Sequence, residues 1–323
     1  MKRLGVLYLP QPGVDPLWQK EVEAAVGARH DLRIYDHAAP LEPQFRGMRA
    51  VLDNGGSVGT RPMYDAAVDA RLWQILGTGI DHVDVAYMKT RGFAVANCPG
   101  QFSSVGLAEC AMMFMLMLAR RYREAAANFD ARVRYKPMGG ELEGRVLGIV
   151  GLGASGQELA RRARAFGMRI RAVDVRPPGE AVLAGIAPEF VGTPADLDRL
   201  VRESDFLSLH FPLTPETRHT FDARRLSLMK PTAFLVNVAR GALVDEAALY
   251  DALLAGRIAG AGLDVFTAEP PDPAHPVYRL PNVVVTPHIA GSTDGTARRR
   301  AAAAAENVDR VAEGREPLYR VDR

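Results

Sequence analysis

The feature that most constrains this chain is Gly151-Leu152-Gly153-Ala154-Ser155-Gly156, a G-x-G-x-x-G run placed directly after the apolar stretch 146–150 and before the helix-forming stretch 157–166. At a strand-to-helix turn each glycine has its own reason: the first makes the tight turn, the second lets backbone approach a pyrophosphate, and the third lets helix and strand pack closely. The start of the helix, with Ala154 and Ser155, then offers amide donors and partial positive charge to phosphates. Eighteen residues after Gly156, at the end of the next predicted strand, stands Asp174. A carboxylate there accepts hydrogen bonds from ribose hydroxyls and repels a 2′-phosphate, which favours NAD over NADP. Arg176 pulls the other way, because an arginine pairs with that phosphate.

A chain of 323 residues has the length of two ordinary domains. Lys plus Arg number 40 against 38 acidic residues, so a net charge of +2 gives no bulk reason to expect nucleic acid or an anionic membrane as partner. Cys98 and Cys110 have neither metal-ligand spacing nor the density of a disulfide scaffold, so no metal is expected and a reducing compartment is favoured. The longest apolar run, 110–119, is half of the roughly 20 residues a spanning helix needs. Residues 1–10 carry no export-type apolar segment, and a cytoplasmic location is expected.

Short apolar runs at 4–9, 32–35, 50–52, 72–76 and 93–96 alternate with helix-like stretches around 17–26, 63–70 and 83–90. Residues 104–129 read as one long helix between domains. A second series of strands follows at 146–150, 170–173, 206–209, 233–238, 260–265 and 283–286. The alanine-rich stretch 292–313 has nothing left to pack on in sequence order and is expected to return to the first domain. The prediction is an α/β protein of two doubly wound parallel-sheet domains, the second a Rossmann-type NAD-binding domain inserted into the first. The boundaries are 1–100 with 291–323 for a discontinuous substrate-binding domain and 101–290 for the NAD-binding domain. Arg298-Arg299-Arg300 reads as a solvated helix face.

In such sheets ligands bind beyond the carboxyl ends of the strands. The second series presents there His210-Phe211-Pro212, Asn237-Val238-Ala239-Arg240-Gly241, Asp264 followed by Glu269, and Thr286-Pro287-His288-Ile289-Ala290-Gly291. Reducing a 2-oxo acid needs a cation to orient the carboxylate and polarise the carbonyl, and a proton donor for the developing alkoxide. Arg240 suits the first role with its planar fork. His288 suits the second, and Glu269 would hold the imidazole and favour its protonated form.

These strand-end residues, with Gly77-Thr78-Gly79-Ile80-Asp81 and the glycine loop, resemble the D-isomer-specific 2-hydroxyacid dehydrogenase family in order and spacing over residues 49–300. The resemblance implies hydride transfer between NAD(H) and C2 of a small 2-hydroxy or 2-oxo acid, with Arg240, Glu269 and His288 in the roles just given. It further implies that Asp264 meets the nicotinamide carboxamide. His210, Phe211, Pro212, Val238, Ala239 and Gly291 would line the cofactor, with Ser155 by the pyrophosphate, where a bulkier aliphatic residue is common. In the first domain Gly55, Gly56, Thr78 and Gly79 would face the substrate, with Arg240, and Arg61 lies near enough in sequence to keep phosphorylated acids open. A homodimer is implied, with 122–140 as the candidate arm. Two alternatives share the scaffold: an NAD-sensing corepressor-like binding protein and a phosphite dehydrogenase. A formate dehydrogenase is disfavoured, since that branch places glutamine where Glu269 stands.

Overall fold

The computed structural model of the chain describes residues 2–55 and 59–323. It divides into two compact units, Met1–Ser103 with Thr293–Arg323, and Ser104–Ser292.

The first unit holds β1 (Gly5–Leu9), β2 (Asp31–Ile34), β3 (Met48–Asp53), β4 (Leu72–Ile75) and β5 (Ala94–Ala96), hydrogen-bonded in the order β2-β1-β3-β4-β5. All pairings are parallel. Parallel strands need crossovers that cover both faces, so such strands are apolar throughout rather than alternating. β4 accordingly is buried at every position. One face packs Val6, Tyr8, Leu52 and Leu72 against Ala301, Ala304 and Val308 of the C-terminal helix Asp294–Ala312. The other packs Leu7, Leu9, Val51 and Trp73 with Phe45 and Tyr64. Asp309 of the same helix bonds the buried His30 at Nε2 at 2.9 Å, a contact that fixes the helix to the turn before β2.

The second unit holds β6 (Val146–Val150), β7 (Arg169–Val173), β8 (Phe190–Gly192), β9 (Phe206–Leu209), β10 (Phe234–Asn237), β11 (Gly260–Leu263) and β12 (Val283–Val285). Their order is β12-β11-β10-β9-β6-β7-β8, again all parallel. The order reverses between β6 and β9, the switch point at which a doubly wound sheet opens a crevice. Helices Ser104–Ala119 and Ala154–Ala165 cover one face through Ala108, Phe114, Leu159 and Ala163. Helices Leu197–Glu203 and Glu246–Leu254 cover the other.

Two expectations need correction. The single helix over 104–129 is two, Ser104–Ala119 and Tyr122–Asp130, broken where Arg121 takes a left-handed φ of +49°. The Ala119 carbonyl freed by that break accepts from Gly140 N at 2.7 Å. The arginine triplet is not a solvated face: Arg298 is exposed, but Arg299 and Arg300 are partly buried. Among the described residues no helix is long and apolar enough to cross a membrane.

Candidate active site

The strand β6, buried at all five positions, is followed by Gly151, whose φ is +91°. A Cβ there would lie 2.5 Å from the His210 carbonyl oxygen, and one on Gly156 would lie 2.2 Å from the Gly151 oxygen. Only glycine closes a turn this tightly, and the helix starts at once, with Gly153 as its N-cap and Ala154 as its first residue. Gly153 is exposed, and a Cβ on it would meet nothing within 4 Å. The loop therefore has a packed floor and an open mouth at the N-terminus of a 12-residue helix, a fit for a pyrophosphate.

Asp174 follows β7, and its two oxygens accept from Leu152 N at 2.6 Å and Arg176 N at 2.7 Å. The carboxylate is thus pinned beside the glycine loop. His210 follows β9 and is bridged between two hydroxyls, Ser155 Oγ at 3.0 Å from Nδ1 and Ser208 Oγ at 2.9 Å from Nε2. Burial pushes its imidazole down to about 4, so the ring is neutral at physiological pH. The Ser155 hydroxyl is engaged with that ring. Phe211 is partly buried and Pro212 exposed, while Val238 is buried with Ala239 and Gly291 partly so.

Three of the remaining groups stand at the carboxyl ends of the neighbouring strands β10, β11 and β12. After β10, Asn237 fixes the turn, donating from Nδ2 to the Arg240 carbonyl at 2.9 Å and accepting from Ala239 N at 3.1 Å. Arg240 Nη1 donates to the Ala239 carbonyl at 2.8 Å. A Cβ on Gly241 would lie 1.9 Å from the Phe266 carbonyl carbon. Glycine here lets the segment after β11 run directly against the Arg240 turn. That segment carries Glu269, whose Oε1 accepts from Phe266 N at 3.2 Å and whose Oε2 lies 2.6 Å from His288 Nδ1.

His288 itself has a left-handed φ of +54°, a conformation that a side-chain-bearing residue keeps only when its surroundings impose it. Asp264 supplies the constraint. Its main-chain carbonyl accepts from His288 N at 2.8 Å, and its fully buried carboxylate accepts from Thr286 Oγ1 at 2.6 Å and from Ile289 N and Ala290 N at 2.8 Å each. Burial raises the Asp264 carboxyl, against the lowering effect of those donors. At Glu269 burial acts in the same direction, but the hydrogen bond and charge of His288, the Phe266 amide and the charge of Arg240 outweigh it and hold the carboxyl below its ordinary range. With Nδ1 of His288 on Glu269, Nε2 is the nitrogen left to exchange a proton. His288 and Glu269 keep side-chain exposures of 47% and 38%, enough for a ligand to reach them.

In the first unit Gly55, with φ of +91°, lies against Gly77, where a Cβ would sit 2.8 Å from the Gly55 oxygen. The loops after β3 and β4 therefore meet. The Thr78 carbonyl accepts from Asn97 Nδ2 at 2.8 Å, and its hydroxyl accepts from Arg300 Nη2 at 3.2 Å. Thr78 and Gly79 are partly exposed. Gly56 lies outside the described residues. Arg61 is committed elsewhere: its Nε donates to Asp84 at 3.1 Å and its guanidinium stacks over Tyr87. Thr286, Ser208, Asn237 and Gly241 received no role from the sequence. Only Gly241, a glycine beside the candidate arginine, carried a signal.

Residues 112–290 match the family model described as D-isomer specific 2-hydroxyacid dehydrogenase, NAD binding domain. The D-3-phosphoglycerate dehydrogenase of Methanocaldococcus jannaschii is 37% identical over 298 residues, covering 91% of this chain and 54% of that one, so the chain spans about half the length of this relative. The glyoxylate reductase of Korarchaeum cryptofilum is 42% identical over 253 residues, covering 76% of this chain and 74% of that one. Among solved structures, D-lactate dehydrogenase from Aquifex aeolicus, complexed with NAD and lactic acid, superposes with a TM-score of 0.78 at 29% identity, covering 96% of each chain.

Proposed function

Because the chain belongs to the D-isomer specific 2-hydroxyacid dehydrogenase family, we propose that it is an NAD-dependent oxidoreductase that moves hydride between NAD(H) and C2 of a small 2-hydroxy or 2-oxo acid. The observation that carries the reading is the His288–Glu269 pair at 2.6 Å, held on a loop that Asp264 ties down. When bound, NADH supplies the hydride. Gly151, Gly153, Ala154, Ser155 and Gly156 would hold its pyrophosphate by backbone, Asp174 the adenosine ribose, and His210, Phe211, Pro212, Val238, Ala239, Asp264 and Gly291 the rest of the cofactor wall.

Arg240 binds the carboxylate of the acid and polarises its carbonyl, as a rigid charged fork does best. His288 Nε2 gives its proton to the oxygen as C2 is reduced and takes it back in oxidation. Glu269 keeps Nδ1 protonated and stabilises the imidazolium. Backbone at Gly55, Thr78 and Gly79 is the proposed contact of the first unit with substrate.

A homodimer and a cytoplasmic location complete the proposal. Supporting the dimer, Phe129, Tyr135 and Met138 are 83%, 95% and 86% exposed within the predicted arm, more apolar surface than a solvated segment ordinarily shows. Supporting the location, both cysteines are free thiols.

The test is NADH and NADPH oxidation against a panel of 2-oxo acids, with His288→Ala beside the wild type. NADH oxidation with one acid, lowered about 10²- to 10⁴-fold in the variant, is expected for loss of a general acid. Tight NADH binding with no turnover of any acid would overturn the reading.

A further inference from the structure

Beside the glycine loop, Ser208, His210 and Ser155 form a chain of side-chain hydrogen bonds that lies wholly within the second unit. Ser208 stands in β9, fully buried, and the sheet register sets it beside Ile149 of β6. His210, two residues on, is held by its main chain. Its N donates to the Val150 carbonyl at 2.8 Å, and its own carbonyl oxygen is the atom that leaves no room for a Cβ on Gly151. The imidazole is thus anchored to the loop. Ser155 is the second residue of the helix Ala154–Ala165 and is partly exposed.

The direction of this chain follows from where its protons can go. A buried hydroxyl has to donate its hydrogen as well as accept, and among the described residues the Ser208 hydroxyl has one partner, His210 Nε2 at 2.9 Å. Ser208 Oγ therefore donates and Nε2 accepts. Burial keeps the ring neutral, so its single proton is on Nδ1, which donates to Ser155 Oγ at 3.0 Å. The Ser155 oxygen is then an acceptor whose own proton is left over, and no other side chain or carbonyl bonds it among the described residues. The reverse direction would strand the Ser208 proton inside the sheet, where an unpaired donor is most costly.

Resting on the reading of the glycine loop as a pyrophosphate cradle, we propose that the Ser155 hydroxyl donates to a diphosphate oxygen of NAD(H), and that Ser208 and His210 are positioning residues that hold the Ser155 oxygen so that its proton is free for that ligand. The loop amides serve any diphosphate. The hydroxyl adds one directed donor, prepared before the cofactor arrives, and a chain of hydrogen bonds that ends on an anion strengthens its members.

The experiment measures binding of NADH and of ADP-ribose, which keeps the diphosphate and lacks the nicotinamide, to wild type, Ser155→Ala, Ser208→Ala and the double variant by calorimetry. Ser155→Ala should weaken both ligands by about the same factor, 10- to 100-fold, as for loss of a hydrogen bond to a charged group. Ser208→Ala, which frees the ring to take either tautomer, should weaken both about 2- to 10-fold. The double variant should match Ser155→Ala within about twofold, because the two residues act through one bond. In ligand-free wild type, ring 15N spectra, with His210 assigned by its absence from His210→Gln, should show the proton on Nδ1, and Ser208→Ala should show a mixture of tautomers.

A proton on Nε2 in the wild type, unchanged affinity in Ser155→Ala, a loss confined to NADH, or additive losses in the double variant would each overturn the inference. Thermal unfolding accompanies each variant, and a destabilised Ser208→Ala protein with an unchanged His210 tautomer would make Ser208 merely structural. A folded wild type that binds neither NADH nor ADP-ribose would instead strike the reading of the glycine loop itself, and this inference with it.

Discussion

Both sheets start from a five-residue apolar strand, β1 in the first unit and β6 in the second, and the turns that follow them differ. After β1 come Pro10, Pro12 and Pro16 before a helical segment that starts at Leu17 and continues from Val22 into the π-helical turn Glu23–Gly27. After β6 comes Gly151, and a 12-residue helix begins three positions on. Prolines remove the amide donors that an anion would use. Two sheets of one architecture thus differ in the property that matters for a dinucleotide, and the strand-to-helix turn decides it rather than the sheet.

The comparison breaks most severely at its glycines. Gly151→Ala should weaken NADH binding at least about 100-fold and cost about 3 kcal/mol of stability, because strain at positive φ adds to a backbone collision. The matching change in the first unit, Gly13→Ala, also falls at positive φ, +80°, but a Cβ there meets nothing within 4 Å. It should cost about 1–2 kcal/mol from strain alone and leave NADH affinity unchanged. Calorimetric binding and thermal unfolding of both variants check the pair; equal losses of NADH binding would erase the distinction.

A smaller effect concerns the strand-end charges. Those of the second unit are mutually engaged, His288 with Glu269, whereas Arg300 of the first donates to the Thr78 hydroxyl and has no ion pair among the described residues. Glu269→Gln replaces the carboxylate beside His288 Nδ1 by an amide, so kcat/KM for reduction should fall about 10- to 100-fold, as for loss of a charged hydrogen bond. Steady-state kinetics of the variant reads this directly, and an unchanged kcat/KM would deny Glu269 its role.

The smallest effect is expected at the surface. Hydrogen bonds from Arg224 and then Arg225 hold the Asp198 carboxyl down at about 2 in the second unit, and Arg61 lowers Asp84 in the first. A depressed carboxyl contributes stability above its unfolded value, lost as pH falls through the folded one. Asp198 keeps a third of its side chain exposed, so Asp198→Asn should cost below about 1 kcal/mol at neutral pH and only a fraction of that near pH 2. Urea unfolding at both pH values measures it.

Much of this was legible in the sequence, for physical reasons. Strands buried on both faces are continuous apolar runs, so β6 and β9 have the bounds their residues suggest. The edge strand β8, three residues paired only to β7, is too short for any periodicity and went unseen. The break at Arg121 had no glycine or proline to announce it, because the contact that closes the helix end comes from Gly140, far along the chain. The strand-end residues of the second unit were recognisable by chemistry and order. How they are held was not: Asp264 is bonded to the His288 loop by a hydroxyl and two amides. The inward turn of Arg300 was hidden in a charged triplet, because helical phase, not composition, decides which arginine faces the sheet.

The central claim is hydride transfer to C2 of a 2-oxo acid with His288 as proton donor. Its most direct test uses NADH deuterated at both C4 positions of the nicotinamide and a 2-oxo acid that the enzyme turns over, with the hydroxy acid analysed by NMR and chiral chromatography. The account predicts deuterium at C2 of the D-isomer, formed by wild type and almost absent with His288→Ala. Product without deuterium at C2, or the L-isomer, or full turnover by the variant would contradict it.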